Sequence, residues 1–482
     1  MVFPFQTRKW FSFWLNDEGV SVRTGREIFL CSFVGLIVGF AAVGFAVLLE
    51  CVRHYFGGML AGYYPSLAAG ETVLFVPMGT VGVPQRWVLF LLPGFGAFVA
   101  AVLCRKLSPG SDGHGTDAAI NAYHRKDGIL PASAVPVKAA TSALVIGCGG
   151  SAGCEGPVTL IGAACASTLA RLLKLSVRER RILLAAGLGA GVGALFRAPL
   201  AGALFAAEVL YRDLDLEFEV LIPAMAASTV AYSVFASFFG WQPLFAMPQY
   251  AFTNPEKFIP YAILALVIAL GARLNILVFR QVELYFRGLA VPDIVKPLIG
   301  GLLTGALGLF LPEVLGTGYG LVQMVLSDGT EIGGAPNPTL MTVQVLLLLF
   351  AVKMFATAFT VGSGGSGGLF GPALVSGALL GAATGLLVDQ FLPVFNIRIG
   401  AFALVGMAGF LSASVRTPLT AVLMISEITG NHGLLIPSMM VCGTAFLLCH
   451  GWTLYRSQVQ NRFCSPAHAA HSFSNPTGET AL

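Results

Sequence analysis

The sequence predicts an all-α polytopic membrane protein, built as two inverted-topology repeats of tilted and broken helices. Three observations predict it. Of the 482 residues, 56% are apolar and 11% charged, with a mean hydropathy of +0.79, whereas a soluble domain carries about 25% charged residues. Apolar stretches at 28–50, 87–104, 259–279, 339–361, 372–388 and 434–449 approach the roughly 20 residues that cross a bilayer as a helix. Finally, eleven residues from Gly147, GCGGSAGCEGP, return from Gly362 as GSGGSGGLFGP, with seven positions identical.

Taken in order, residues 1–27 form an N-terminal segment. Its start, MVFPFQTRKWFSFWLNDEG, is too aromatic and acidic for a signal peptide. Arg8, Lys9, Arg23 and Arg26 precede the first span, which places this segment in the cytoplasm. The first membrane repeat is expected over 28–240 and the second, with a late tyrosine, over 259–456. Residues 241–258 link them, and 457–482 form a short polar tail. Around 133–175 and 184–211 the apolar segments are short and interrupted. With 58 Gly and 26 Pro in the chain, these read as closely packed, broken helices.

The repeat reaches well beyond the eleven residues. Lys138 lies 19 before Pro157, and Lys353 lies 19 before Pro372. Downstream, FRAPLAGALFAAEV sets Arg197 and Glu208 eleven apart, and VRTPLTAVLMISEI does the same with Arg416 and Glu427. GHGTDA from Gly113 aligns more weakly with GTGYGL from Gly316. Membrane proteins with inverted repeats place their working site where broken helices point their N-termini at a ligand. Such an end offers unpaired N–H groups and about half a positive charge, a good anion site without the grip of a full Lys or Arg charge. Each glycine run is followed by Gly-Pro and a continuous apolar segment, so Pro157 and Pro372 fit the first helical position. The plainer reading is that Gly-Pro only breaks helices for packing.

Other function classes find little support. GGSAG (149–153) and GGSGG (364–368) satisfy G-x-S-x-G, but they lie among membrane helices and the seven His show no supporting arrangement. Gly362, Gly364 and Gly367 fit G-x-G-x-x-G without a strand–turn–helix unit. Both enzyme readings are rejected. The nine Cys show neither a paired framework nor metal spacing, so no metal or cofactor is expected. A net charge of +4, spread along the chain, does not suggest nucleic acid. A cation transporter would need carboxylates within the spans, and these are few.

The motifs, in order, resemble those of the CLC family of chloride channels and chloride/proton exchangers, in its prokaryotic form without CBS domains. GCEGP (153–157) is similar to the family's GREGP, GLFGP (368–372) to its GxFxP, and Tyr455 in TLYRS to its late pore tyrosine. The resemblance covers about 28–460. It implies a multi-pass protein of the bacterial inner (cytoplasmic) membrane, a homodimer in the lipid bilayer with one anion pathway per subunit. Chloride, other small anions and protons are the implied partners. By position, Glu155 is the external gating glutamate, a tethered carboxylate that competes for the anion site when ionised and leaves when protonated. The other reading makes it an N-cap acid. Gly156, Leu369 and Phe370 would supply backbone N–H groups and Tyr455 a hydroxyl; an interfacial aromatic is the alternative for Tyr455.

Three departures limit the transfer. The family's GSGIP reads GHGTD (113–117), so His114 stands where a serine hydroxyl would face the anion, with Gly115 N–H as the alternative donor. Asp117 then replaces proline and would cap the following helix, and Ser111 is a substitute should the register differ. Cys154 replaces an arginine, which removes a positive charge from the outer approach. Glu208 is followed by Val209, where many exchangers carry an acid. An apolar side chain cannot relay a proton, so the leading expectation is a channel gated by Glu155. The runner-up is a chloride/proton antiporter, and another inverted-repeat transporter ranks third. Because Glu427 is its repeat counterpart, Glu208 reads as a structural cap more than as part of a proton path.

Overall fold

A computed structural model describes residues 20–71, 74–75, 85–110, 113–327 and 341–469. Arg8, Lys9, Ser111 and the second half of the C-terminal tail (470–482) lie outside the described residues, and Arg23 falls among the side chains left undescribed.

Among the described residues the chain is helical. The first half runs through α1 (Val20–Val52), α2 (Arg86–Leu107), α3 (Thr116–Arg125), α4 (Ala134–Gly147), α5 (Glu155–Leu172), α6 (Val177–Leu195), α7 (Pro199–Glu208) and α8 (Phe218–Phe239). The second runs through α9 (Phe258–Gly288), α10 (Val295–Phe310), α11 (Tyr319–Leu326), α12 (Val343–Gly362), α13 (Phe370–Phe391), α14 (Ile399–Val415), α15 (Pro418–Thr429) and α16 (Leu435–Leu448), before a last turn, α17 (Pro466–Ala469). Six helical segments among these residues are long and apolar enough to cross a membrane. Shorter apolar helices include α4, α7, α15 and also α16, so the expected span over 434–449 is not among the six. Helix α8 was not among the expected spans. Its mean window hydropathy of 1.6 is the lowest of the six, because Glu219, Pro223, Ser228 and Thr229 dilute its apolar run.

The two halves meet through an internal two-fold relation that can be followed bond by bond. Gly153 N–H donates to Gly368 O at 2.8 Å, and Gly368 N–H donates back to Gly153 O at 2.7 Å. These are the same residue of each repeat, paired antiparallel, which places a local two-fold axis through the bridge. Around it, Ser151 Oγ meets Thr357 Oγ1 at 3.0 Å, and Ser366 Oγ meets Ser142 Oγ at 2.8 Å, each turn serine bonding to the opposite repeat. Farther out, Glu208 accepts from Leu419 N–H (3.0 Å) and from both Thr420 N–H (2.8 Å) and its hydroxyl (2.6 Å), capping α15. Glu427 accepts from Leu200 N–H (3.2 Å) and Ala201 N–H (2.8 Å), capping α7. Each acid thus satisfies orphan N–H groups of the other half's short helix.

The repeated arginines turn the chain. Arg197 and Arg416 lie at φ +57° and +67°, in the left-handed region where non-glycine residues are uncommon. Their guanidinium groups compensate. Arg197 donates to Gly70 O (2.7 Å) and Phe239 O (2.9 Å). Arg416 donates to Arg212 O at 2.9 Å and lies over the Phe446 ring, 3.5 Å from its centroid.

Helices cross closely where the repeat supplies glycine. A Cβ on Gly187 would sit 2.5 Å from Gly162 O, and one on Gly406 would sit 2.5 Å from Gly377 O. So α5 crosses α6, and α13 crosses α14, at matched points of backbone contact. Large apolar side chains face outward along α1 and α9, among them Phe29, Phe33, Phe40, Leu266 and Leu270, as a hydrocarbon surround requires.

Gly406→Ala is therefore expected to destabilise the protein by about 1–3 kcal/mol, because the helices must separate. Gly443→Ala, whose Cβ would meet nothing within 4 Å, should be neutral or stabilising by up to about 1 kcal/mol through helix propensity. Thermal unfolding of both variants in detergent checks the contrast.

Candidate functional site

Four helix N-termini converge beside the central bridge. The second and fourth in chain order are alike. α5 starts at Glu155 and α13 at Phe370, each entered from a residue already in helical conformation, Cys154 (φ −83°, ψ −16°) and Leu369 (φ −101°, ψ −14°). Pro157 and Pro372 are thus the third helical residues, not the first as expected. The chain leaves the Gly153–Gly368 pairing so abruptly that helix begins two residues before each proline. The missing N–H remains harmless there, since the first four N–H groups of a helix lack intrahelical partners. The shift places Glu155 and Phe370 themselves in the first turn.

α3 and α11 supply the other two ends. Their N-caps are Gly115 (φ +72°) and Gly318 (φ +79°), conformations that favour glycine. The turn before α3 lies directly on α5: a Cβ on Gly115 would come 2.5 Å from Gly156 O, and one on Gly156 would come 2.2 Å from His114 O. The matched lysines hold these turns. Lys138 Nζ donates to Gly113 O at 2.5 Å, and Lys353 Nζ donates to Val314 O and Gly316 O, both at 2.9 Å. Both lysines are fully buried.

The Glu155 side chain is 1% exposed. One carboxylate oxygen accepts from Gly371 N–H at 3.0 Å, in the first turn of α13. The other accepts from the Tyr319 hydroxyl. Glycines surround it: a Cβ on Gly371 would lie 2.8 Å from Oε1, and one on Gly368 would lie 3.3 Å from Oε2. A carboxylate therefore sits where α13 presents free N–H groups, in a cradle that side chains would fill. Its repeat counterpart, Phe370, is 1% exposed and packs against the rings of Phe196 (5.2 Å) and Phe205 (5.6 Å).

Tyr455, 1% exposed, comes to the start of α3, where its side chain hydrogen-bonds Thr116. Its ring centroid lies 5.5 Å from that of His114, whose Nδ1 is buried without a hydrogen-bond partner. Asp117 does not cap α3 as expected. Its two oxygens accept from Ser457 N–H and Ser457 Oγ, both at 2.7 Å, which ties the segment carrying Tyr455 to α3. Glu208 lies away from this cluster in its capping role, and Val209 beside it is fully buried.

Two cavities that share no lining residue approach the cluster. One, of about 560 Å³, is lined by Gly113, His114, Gly115 and Asp117, with Arg105, Glu283, Arg287 and Lys296 in its wall. The other, of about 90 Å³, is lined by Cys154 and Tyr319 with Glu50, Arg53, Glu71 and Arg197. Two arginines from elsewhere in the chain therefore stand in the wall that Cys154 leaves uncharged, one of them, Arg53, paired with Glu50. Sequence reasoning passed over Tyr319 and Gly371. The signal for Tyr319 was its place in GTGYGL, opposite Thr116 of GHGTDA.

Comparison with known proteins agrees with this geometry. The family described as "Voltage gated chloride channel" matches residues 96–450. A protein of Ralstonia nicotianae named "Putative chloride channel protein ClcB-like" is 30% identical over 425 residues, which cover 87% of this chain and 94% of that protein. The H(+)/Cl(-) exchange transporter ClcA of Salmonella gallinarum is 28% identical over 466 residues, 94% of this chain and 92% of that one. In fold, the chain resembles a slow cyanobacterial Cl-/H+ antiporter, with a TM-score of 0.73 at 22% identity, covering 88% of this chain and 94% of that one. It resembles a CLC-type fluoride/proton antiporter equally, with a TM-score of 0.73 at 20% identity, covering 92% of this chain and 100% of that one. With helices broken around a shared centre and a family match running through both halves, the chain belongs to the CLC family and is a membrane anion transporter.

Proposed function

We propose that this protein exchanges chloride for protons, with Glu155 as the group that meets both. The observation that carries the proposal is the Glu155 carboxylate at the N-terminus of α13, accepting from Gly371 N–H in a glycine cradle. An ionised carboxylate there occupies a place suited to an anion, and protonation weakens its hold. A site where proton and anion exclude one another is the minimum that exchange requires. The name of the Salmonella relative, an exchange transporter, supports this reading over passive conduction.

In this reading, the anion passes between the N-termini of α3, α5 and α13. Gly156, Leu369 and Phe370 contribute backbone N–H groups, and Tyr455 a hydroxyl. The unpartnered Nδ1 of His114 supports a role for the imidazole beside Gly115 as an anion donor from the larger cavity. We place that cavity on the cytoplasmic side and the Cys154 cavity outside. The chain is proposed to work as a homodimer in the bacterial inner membrane, each copy holding its own pathway. The one-turn helix Pro255–Lys257, alone between α8 and α9, fits the division into repeats at 28–240 and 259–456.

A channel is the second reading, and one observation favours it. Both oxygens of Glu208 are committed to capping α15, and Val209 after it is buried and apolar. Neither offers a free acid next to the F-x-x-E segment.

Reconstitution into liposomes with opposed chloride and proton gradients separates the readings. Exchange shifts the reversal potential with the proton gradient, whereas a channel reverses at the chloride potential alone. Glu155→Gln is expected to abolish proton movement and to leave a chloride flux that no longer varies with pH. His114→Ala is expected to weaken chloride binding about tenfold, the worth of one hydrogen bond to a charged group, measured calorimetrically; unchanged affinity would assign the contact to Gly115 N–H.

A further inference from the structure

We infer that Tyr319 is a phenolic latch on Glu155, a positioning residue that sets how readily the carboxylate leaves the anion path. This rests on the reading of Glu155 given above and adds a second group to it. The Tyr319 hydroxyl donates to Oε1 and Gly371 N–H to Oε2, and the Cys154 and Glu155 backbone N–H groups also bond the carboxylate, so it combines rigid backbone donors from both repeats with a side-chain donor. The space around Gly371 shows how closely these groups crowd together. A Cβ built on Gly371 would meet Glu155 Oε1 at 2.8 Å and the Tyr319 hydroxyl at 3.0 Å, so all three groups share one small volume.

The ring is held rather than free. Tyr319 is 4% exposed, opens α11 directly after Gly318, and meets the Phe245 ring edge-on at 5.7 Å. The turn before it is fixed by Lys353, whose Nζ bonds Val314 O and Gly316 O. Tyr319 also lines the cavity bounded by Cys154, Glu50, Arg53, Glu71 and Arg197. It therefore stands between that cavity and the carboxylate.

The device has no twin in the other half. The position matching Tyr319 at the start of α3 is Thr116, whose side chain bonds Tyr455 and not a carboxylate. The internal two-fold relation does not explain the phenol, just as it does not explain Glu155 opposite Phe370. To vacate the path, Glu155 must give up the Gly371 N–H and the Tyr319 hydroxyl. The backbone donor is fixed by the helix, whereas the phenol can be removed without altering the ring.

Chloride efflux from liposomes at pH 7.5 tests this with four proteins: the parent, Tyr319→Phe, Glu155→Gln, and the double variant. The latch predicts that Tyr319→Phe raises the flux by about tenfold or more, as expected for one lost hydrogen bond to a charged group. In the Glu155→Gln background the same change should move the flux by less than about twofold, because no carboxylate remains to be held. A flux unchanged or lowered by Tyr319→Phe in the parent overturns the latch. So does an equal rise or fall in both backgrounds, which would mark a packing or anion-contact role. If Glu155→Gln itself keeps the parent's flux and pH dependence, the reading of Glu155 falls. If it departs from the parent while Tyr319→Phe does not, the latch alone falls.

Discussion

The structure turns on two peptide groups. Gly153 and Gly368 exchange N–H···O=C bonds across the internal two-fold relation, and the first turns of α5 and α13 are placed by that exchange. It commits the backbone of both repeats for a single residue and then releases them into helix within two residues. The released ends are therefore aligned, close together and short of acceptors. In a hydrocarbon surround an unsatisfied N–H group costs several kcal/mol, so such a cluster needs an acceptor with no donors of its own. A carboxylate on the chain and an anion from solution meet that need equally.

Symmetry and its breaking divide the labour. What is repeated is scaffold: the lysines under the turns, the arginines at left-handed corners, the acids on the short helices, and the glycines at the crossings. What is not repeated is chemistry. Glu155 faces Phe370, Tyr319 matches Thr116, and His114 and Tyr455 come from one side only. A duplicated frame fixes positions cheaply, and single substitutions then differentiate the two approaches to the centre.

Much of the frame was legible in the sequence because it is periodic. Spacings of 19 between lysine and proline, and of eleven between arginine and glutamate, survive in both copies. Glu155 was legible because its counterpart is not an acid. The site's remaining contacts were hidden by sequence distance. Tyr319 reaches Glu155 across 164 positions, and Asp117 finds Ser457 across 340. Nothing local in GHGTDA tells an acid that caps its own helix from one that fastens a remote strand of chain. Helix α8 escaped notice for a different reason. Pro223 and Ser228 are buried by neighbours in a way hydropathy does not register, whereas Glu219 and Thr229 are exposed.

The crossed caps of Glu208 and Glu427 carry a consequence for how such a molecule can come into being. Each repeat grows a short helix whose first N–H groups are left bare, and each carries the acid that relieves the bareness of the other. During synthesis the first half leaves the ribosome with Glu208 still lacking the N–H groups that donate to it and α7 still lacking its acceptor. Neither deficiency is repaired by anything within that half. These caps can therefore form only once both repeats are present.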